Sequence, residues 1–160
     1  MKMEWMGEYR DVVESLIHYC NIYASVYKTE HMVYQQVNYS YSQIQVLEYL
    51  LENEERKDNM SSIAARLGIS RSNFTKIVNR LESKGLVEKQ YLQGSKKELS
   101  VTVNDLGKAL YAEYYQRILK SHFQPMFQKL EHIPKEFYPY IAEALYDSMH
   151  NKKTATPEEK

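Results

Sequence analysis

The sequence is poor in the residues that build disulfide frameworks, cofactor-binding loops and membrane spans. Its 160 residues include one cysteine, Cys20, five glycines and four prolines. A single cysteine excludes an internal disulfide and any cysteine-based zinc finger. No uninterrupted apolar run approaches the ~20 residues of a membrane helix, and residues 1–10 are charged and hold no signal-like apolar stretch. We therefore expect a cytoplasmic protein of one domain.

The chain also lacks net charge, because 21 basic residues balance 21 acidic ones. The balance is uneven along the sequence: residues 60–103 hold eight basic and three acidic side chains, a net charge of +5, and the rest of the chain carries −5. A positive field concentrated on one segment favours binding to a nucleic-acid backbone. Any such binding is expected to involve that segment.

Motifs for catalysis and for metal binding are missing. The sequence contains no nucleophile elbow, phosphate loop, HExxH motif or paired catalytic carboxylates. The five histidines show no ligand spacing and lie far apart, at His18, His31, His122, His132 and His150. The sequence therefore predicts a protein that is not an enzyme and that uses no metal or cofactor.

Apolar residues at helical spacing predict long helices at both ends of the chain. A first helix is predicted over Glu8 to Gln36, a fifth from Asp105 to about Gln124 with Pro125 as a kink, and a last one that begins between Pro134 and Pro139 and runs to His150. Residues 151–160 are almost free of apolar side chains, which predicts a disordered tail. The apolar faces of the long helices are wider than one small domain can cover, so we expect a homodimer.

Three shorter helices with cap residues are predicted between them. Ser40 and Gln43 form a capping-box pattern before Tyr41 to Asn53. The other two predicted helices are Met60 to Leu67, capped by Asn59, and Arg71 to Lys84, capped by Ser70. From Leu86 to Val103 the pattern alternates around a turn at residues 93–95, which predicts a two-stranded hairpin, and Asn104 then caps the next helix.

The second and third of these helices have the order and lengths of a helix-turn-helix. Gly68 is suited to the turn, since glycine readily adopts positive φ. Phe74, Ile77, Val78 and Leu81 form a stripe that should pack inward and leave a polar face outward. The predicted base-reading residues of this helix are Arg71, Ser72, Asn73, Thr75, Lys76, Asn79 and Arg80. Asparagine pairs with adenine, lysine and arginine donate to guanine, and serine or threonine can serve either.

The stretch from Ser61 to Ser70, the helix end at residues 81–87 and the hairpin resemble the MarR family of transcription regulators. The resemblance implies a mainly α winged helix-turn-helix fold of about six helices and a hairpin wing. It implies dimerisation through residues 8–37 and 104–150, and DNA binding through a lobe at residues 38–103. In that family the fourth helix lies in the major groove and the wing reaches the minor groove, which implies a palindromic double-stranded DNA operator and a repressor role.

The predicted wing departs from the family in one respect. Where the family usually has Asp, any residue and Arg, this chain has Ser95, Lys96 and Lys97. Lysine lacks the planar fork of arginine, so we expect looser phosphate contact by the wing. The predicted backbone-contacting residues are Ser61, Ser62, Lys84, Ser95, Lys96 and Lys97.

Several alternatives stay open. Fifteen tyrosines are unusual, and five could line a cleft for a small aromatic effector: Tyr23, Tyr27, Tyr34, Tyr111 and Tyr114. They could equally form a dimer core. Cys20 is expected to be a buried, inert thiol, with a redox sensor as the alternative. The remaining alternative hypotheses are a metal-responsive regulator of the same fold and a winged helix that binds proteins.

Overall fold

The computed structural model describes residues 4–56, 58–91 and 99–150, which belong to two compact units, Met1–Tyr114 and Tyr115–Lys160. The first unit begins with a 3₁₀ helix at Glu4–Tyr9. Its further elements are α1 (Arg10–Val26), β1 (Met32–Tyr34), β2 (Val37–Tyr39), α2 (Tyr41–Arg56), α3 (Met60–Arg66), α4 (Arg71–Ser83), β3 (Val87–Tyr91) and β4 (Leu99–Val103). The helix α5 (Asp105–Ile118) follows.

The second unit continues with a π-helical turn at Leu119–Phe123, α6 (Gln124–Leu130), a 3₁₀ turn at Lys135–Phe137 and α7 (Tyr138–His150). Pro125 lies in the first turn of α6, where a missing backbone donor is tolerated. The Tyr138 hydroxyl donates to the Leu130 carbonyl at 2.9 Å across the link between α6 and α7. None of the described side chains from residue 115 onward is buried.

The core of the first unit lies between α2, α3, α4, α5 and the β3–β4 hairpin. Its fully buried side chains include Leu47, Ile63, Phe74, Leu86 and Leu110. Strands β3 and β4 are antiparallel, and Val87 pairs with Val103. The mainly α fold with a two-stranded wing that the sequence predicts is therefore confirmed.

All four predicted helix caps are present. Ser40 and Gln43 form the reciprocal capping box, with the Ser40 amide donating to Gln43 Oε1 at 3.2 Å and the Gln43 amide donating to Ser40 Oγ at 3.4 Å. Oxygens of the other cap side chains accept from backbone amides, namely Asn59 from Ser62, Ser70 from Asn73, and Asn104 from Gly107. Each cap fixes a helix start through contacts three residues apart, which explains why the sequence predicts these starts well.

The first helix is shorter than predicted, because α1 ends at Val26 and residues 32–39 form a second antiparallel hairpin. Met32 pairs with Tyr39, and both side chains are buried. The turn uses Gln35 at φ 52° instead of the glycine or asparagine that usually marks such turns. Tyr34 lies seven residues after Tyr27, so it continues the helical spacing although it belongs to a strand.

Gly107 is the point where α5 packs directly on the backbone before β3. A Cβ atom at this position would overlap the Leu86 carbonyl and lie 2.7 Å from Val103 Cγ1. Only glycine allows so close an approach. Within the described ranges, no helix has the length and apolar character needed to cross a membrane.

Candidate nucleic-acid interface

Helix α4 is fixed to the core by the four apolar residues that the sequence singles out, Phe74, Ile77, Val78 and Leu81, all of which are buried. Gly68, at φ 68°, lies in the turn between α3 and α4. The Ile69 amide donates to the Ala64 carbonyl at 3.1 Å, which closes the end of α3. The packing of α4 therefore leaves one polar face to solvent.

That outward face carries the predicted base-reading residues. Arg71, Ser72, Thr75, Lys76, Asn79 and Arg80 are exposed and Asn73 is half-buried. Thr75 Oγ1 donates back to the Arg71 carbonyl at 2.9 Å, and the Ser72 hydroxyl is 3.1 Å from that of Ser70. The chain thus presents hydroxyls, an amide and three cations on a single helix of 13 residues.

Six of the eight cations of residues 60–103 lie within the described residues, and they separate into two groups. Arg66, Lys84 and Lys89 each pair with a carboxylate: Arg66 with Glu52 and Asp58, Lys84 with Glu30, and Lys89 with Glu82. In contrast, Arg71, Lys76 and Arg80 form no ion pair among the described residues. Lys96 and Lys97 lie outside the described residues, as does Ser95. Among the described cations of residues 60–103, those without an ion pair therefore all lie on α4.

Lys84 has a structural position that differs from its predicted role as a phosphate-contacting residue. Its side chain is 20% exposed, and Nζ lies 2.7 Å from Glu30 Oε1. The ammonium also donates to the Asn38 carbonyl at 2.5 Å and to Gln43 Oε1 at 3.1 Å. The hydrogen bond from Lys84 lowers the pKa of the Glu30 carboxyl. All three donors of Lys84 have partners, so this residue joins α4 to the β1–β2 hairpin and α2 and is not a free cation.

Asn79 is linked to the wing by a contact that sequence reasoning missed. Lys89, on β3, donates to Asn79 Oδ1 at 2.5 Å and to Glu82 Oε2 at 2.6 Å. Lys89 follows buried Val87 by two positions, so it lies on the same face of the strand. The alternation of β3 was the available signal, since it places Lys89 on the inner face.

The two serines predicted to contact the DNA backbone stand in the first turn of α3. Ser61 is exposed, whereas Ser62 is half-buried and binds the cap residue, with Ser62 Oγ donating to Asn59 Oδ1 at 3.2 Å. Ser61 therefore has the freer hydroxyl of the two.

The structure brings some of the tyrosines together and separates others. Tyr23 packs against Tyr27 at 5.3 Å and Tyr41 at 5.8 Å between ring centroids, and Tyr39 meets Tyr114 edge-on at 6.4 Å. Burial, with smaller effects from neighbouring tyrosines and, for Tyr114, from Glu48, raises the pKa of the Tyr23 and Tyr114 hydroxyls. Tyr34 lies on β1 and has no ring contact of this kind within the described part of the chain.

Tyr111 lines a different surface. Its hydroxyl donates to Glu48 at 2.8 Å beside an open groove of about 520 Å³. The other groove residues are Tyr49, Leu51, Glu52 and Arg66. The Arg66 guanidinium lies 4.9 Å from the centroid of the Tyr49 ring. Its hydrogen bond to Glu52 raises the pKa of Arg66.

Cys20 is exposed on α1, so the expectation of a buried thiol is wrong for the single chain. The reason is that α1 has apolar spacing but buries none of its residues. Among the described residues, no cluster of three or more His, Cys, Asp or Glu side chains could hold a metal ion.

Comparison with solved structures identifies the fold. The chain is similar to AbfR, solved in reduced form bound to DNA, with a TM-score of 0.61, 23% identity and coverage of 94% of this chain and 98% of that one. A Lactococcus lactis ZitR variant in complex with DNA is similar with a TM-score of 0.59 and 16% identity. The match covers 91% of this chain and 98% of that one. The PcaV transcriptional regulator from Streptomyces coelicolor, in complex with its natural ligand, is similar with a TM-score of 0.56 and 16% identity. The match covers 91% of this chain and 94% of that one.

The sequence comparisons are consistent with this fold. No curated protein matches the chain in sequence. The sequence model of the MarR family matches residues 37–98, which run from β2 through the helix-turn-helix into the wing. With the buried α4 stripe, the two-stranded wing and the likeness to solved structures, this match over part of the chain is consistent with the MarR family model, and the fold is that of a winged helix-turn-helix.

Proposed function

We propose that this protein is a transcription regulator that binds a specific site on double-stranded DNA through α4. The observation that carries the proposal is the exposed α4 face, where three unpaired cations stand beside hydroxyl and amide groups. Cations supply affinity for phosphates, and polar side chains on the same helix can read base edges in the major groove. AbfR and ZitR, which share the fold, have been solved with DNA. No catalytic step is part of the proposal.

The first experiment is selection of bound fragments from sheared DNA of the source genome, followed by competition binding on the recovered sequence. We expect Lys76→Met to weaken binding to specific and random duplexes, because it removes one unpaired cation from α4. Lys108→Met is the matched control, since Lys108 lies on α5 and pairs with Glu54 of α2. Absence of duplex binding at about 50 mM salt, where phosphate contacts are far stronger than at about 200 mM, would favour the protein-binding alternative.

We propose further that the regulator works as a homodimer on a two-fold symmetric operator. Apolar side chains of α1 and of the second unit are exposed in the single chain, among them Val12, Ile22, Phe127 and Leu145. A dimer with two-fold symmetry would place two copies of α4 about one DNA turn, ~34 Å, apart. Footprinting should then protect an inverted repeat, and an asymmetric footprint over one half-site would contradict this arrangement.

Repression and its relief by an effector form the last part of the proposal. A dimer covering promoter DNA would block polymerase, so a reporter under the selected operator should be less active when the protein is present. Our candidate effector contact is formed by Tyr23, Tyr27 and Tyr114. Tyr34, on β1, and Tyr111, which binds Glu48, lie elsewhere and are not part of it. PcaV, solved with its natural ligand, supports a search for a small aromatic effector. Calorimetric titration with aromatic acids, compared between wild type and Tyr23→Ala, tests it.

A further inference from the structure

Asn79 lies near the centre of the exposed face of α4, where a side chain that enters the major groove would meet base edges. The buried stripe around Phe74 and Leu81 occupies the opposite side of the helix. Asparagine ordinarily pairs with adenine, since its oxygen accepts from N6 and its nitrogen donates to N7. That pairing requires both ends of the amide to face the base.

In this chain the oxygen end of Asn79 is already occupied. Lys89 Nζ lies 2.5 Å from Asn79 Oδ1 and 2.6 Å from Glu82 Oε2. A lysine ammonium has three donors and no acceptor, so it can only face the oxygen of the amide and never the nitrogen. The contact therefore fixes which way the amide is turned.

The nitrogen of Asn79 is left for the ligand. No described residue accepts a hydrogen bond from Asn79 Nδ2. Lys89 itself is held firmly, because its side chain is only 19% exposed and Glu82 neutralises its charge at 2.6 Å. Lys89 is the ion-pair partner of Glu82 among the described residues. Asn79 thus presents two N–H donors outward.

We propose that Lys89, a strand residue outside the recognition helix, positions Asn79 so that it reads guanine in preference to adenine. Guanine offers two acceptors, N7 and O6, at its major-groove edge, whereas adenine offers N7 beside the N6 donor. Two outward N–H groups match the guanine edge and would clash electrostatically with the adenine amino group. The inference rests on the proposed DNA-binding function and specifies what the site reads.

The test is a competition assay on duplexes in which every half-site base pair is replaced by each of the others. The base pair read by Asn79 is the position where Asn79→Ala loses discrimination. Wild type should prefer guanine there. Lys89→Met, which keeps the apolar stem but removes the donor, should shift preference toward adenine by about fivefold or more, the scale of one base contact. Lys89→Arg, which retains donors, should restore the guanine preference, and Lys108→Met should leave it unchanged.

Three results would overturn the inference: an adenine preference in the wild type, an unchanged base preference in Lys89→Met, or an equal loss on all duplexes. The last result would mean that Lys89 contacts phosphate. In that case the losses of affinity in Lys89→Met and Asn79→Ala should add in the double variant, whereas positioning of Asn79 by Lys89 requires that they be non-additive.

A measurement without DNA separates this inference from the proposed function. The side-chain amide resonances of Asn79 in ¹⁵N–¹H spectra of the free protein should move in Lys89→Met and stay in place in Lys108→Met. If no variant or wild type discriminates between duplexes, the proposed function fails. If the Asn79 resonances do not respond to Lys89→Met, the positioning inference fails whatever the DNA result.

Discussion

Helices α4 and α1 have similar apolar spacing but opposite surroundings. Helix α4 buries four apolar side chains against its own unit, whereas α1 buries none and leaves Val12 70% exposed. The 3.6-residue period shows that a helix has an apolar face, but it does not show what covers that face. For α4 the cover lies within the chain. For α1 we propose that the cover is a second copy of the chain.

Emptying a buried position of α4 should have the strongest consequence. Phe74→Ala removes a side chain that is 1% exposed from the centre of the core. We expect the free energy of unfolding to fall by about 3–5 kcal/mol, the usual cost of emptying an aromatic core position. Chemical denaturation measures this directly. Thr75→Ala, the exposed neighbour on the same helix, is the control and should change stability by less than about 0.5 kcal/mol.

Substitution on the exposed apolar face of α1 should change association of the chains and not their folding. Val12→Glu should place a charge in each half of a two-fold interface and weaken dimerisation by about a hundredfold. Light scattering should then change from about twice the 19.0 kDa chain mass toward the mass of one chain. Circular dichroism of Val12→Glu should keep its helical signal.

Asn21→Glu is the matched control for the interface. It introduces the same charge on α1, at an exposed polar position on the other side of the helix from Val12. We expect it to remain dimeric. A wild-type protein that is monomeric at micromolar concentration and still binds its operator tightly would remove the dimer from the proposal.

Gly107 tests how closely α5 packs against Leu86, the residue before β3. In an open helix a Gly to Ala change stabilises by about 1 kcal/mol. Here a Cβ atom would overlap the Leu86 carbonyl, so we expect Gly107→Ala to destabilise the fold by about 1–3 kcal/mol. The sign of the change in thermal unfolding temperature therefore distinguishes close packing from ordinary helix propensity.

Local features account for the parts of the fold that the sequence predicts correctly. The caps at Ser40, Asn59, Ser70 and Asn104 act over three residues, and the α4 stripe repeats within one helix. The β1–β2 hairpin was missed because its turn carries Gln35, a residue with no turn signal. Local patterns also did not predict that Cys20 is exposed, since exposure depends on what packs against α1.

The candidate site was predicted by residue type but not by partner. Arg71, Lys76 and Arg80 have no ion-pair partner among the described residues, and this could not be distinguished in the sequence from the pairing of Lys84 and Lys89. Lys84 meets Glu30 across a long stretch of chain, and no periodic pattern encodes such a contact. Counting charges along a segment therefore locates a basic region, whereas the structure decides which cations are free to bind a ligand.

The contact between Lys84 and Glu30 gives the smallest expected effect. The Lys84 hydrogen bond, together with that from Gln43, lowers the pKa of Glu30 below its ordinary value of 4.5. A depressed carboxyl pKa adds stability above the unfolded-state value, and this contribution is lost as the pH falls through the folded-state value. Since Glu30 is 38% exposed, solvent screening limits the contribution to about 1 kcal/mol or less.

Glu30→Gln isolates that charge, because glutamine keeps an oxygen that can accept from Lys84 and Gln43. We expect wild type to be more stable than Glu30→Gln at pH 7, and the difference to disappear on acidification below pH 4.5, the ordinary value for this carboxyl. Urea denaturation from about pH 3 to about pH 7 measures the difference in the free energy of unfolding. This interval includes the usual range of carboxyl titration, roughly pH 3 to 5. Glu14→Gln, in an exposed pair with Arg10, is the control and should show a smaller difference. A difference that persists unchanged at the acidic end would mean that the Glu30 contact stabilises through packing and not through charge.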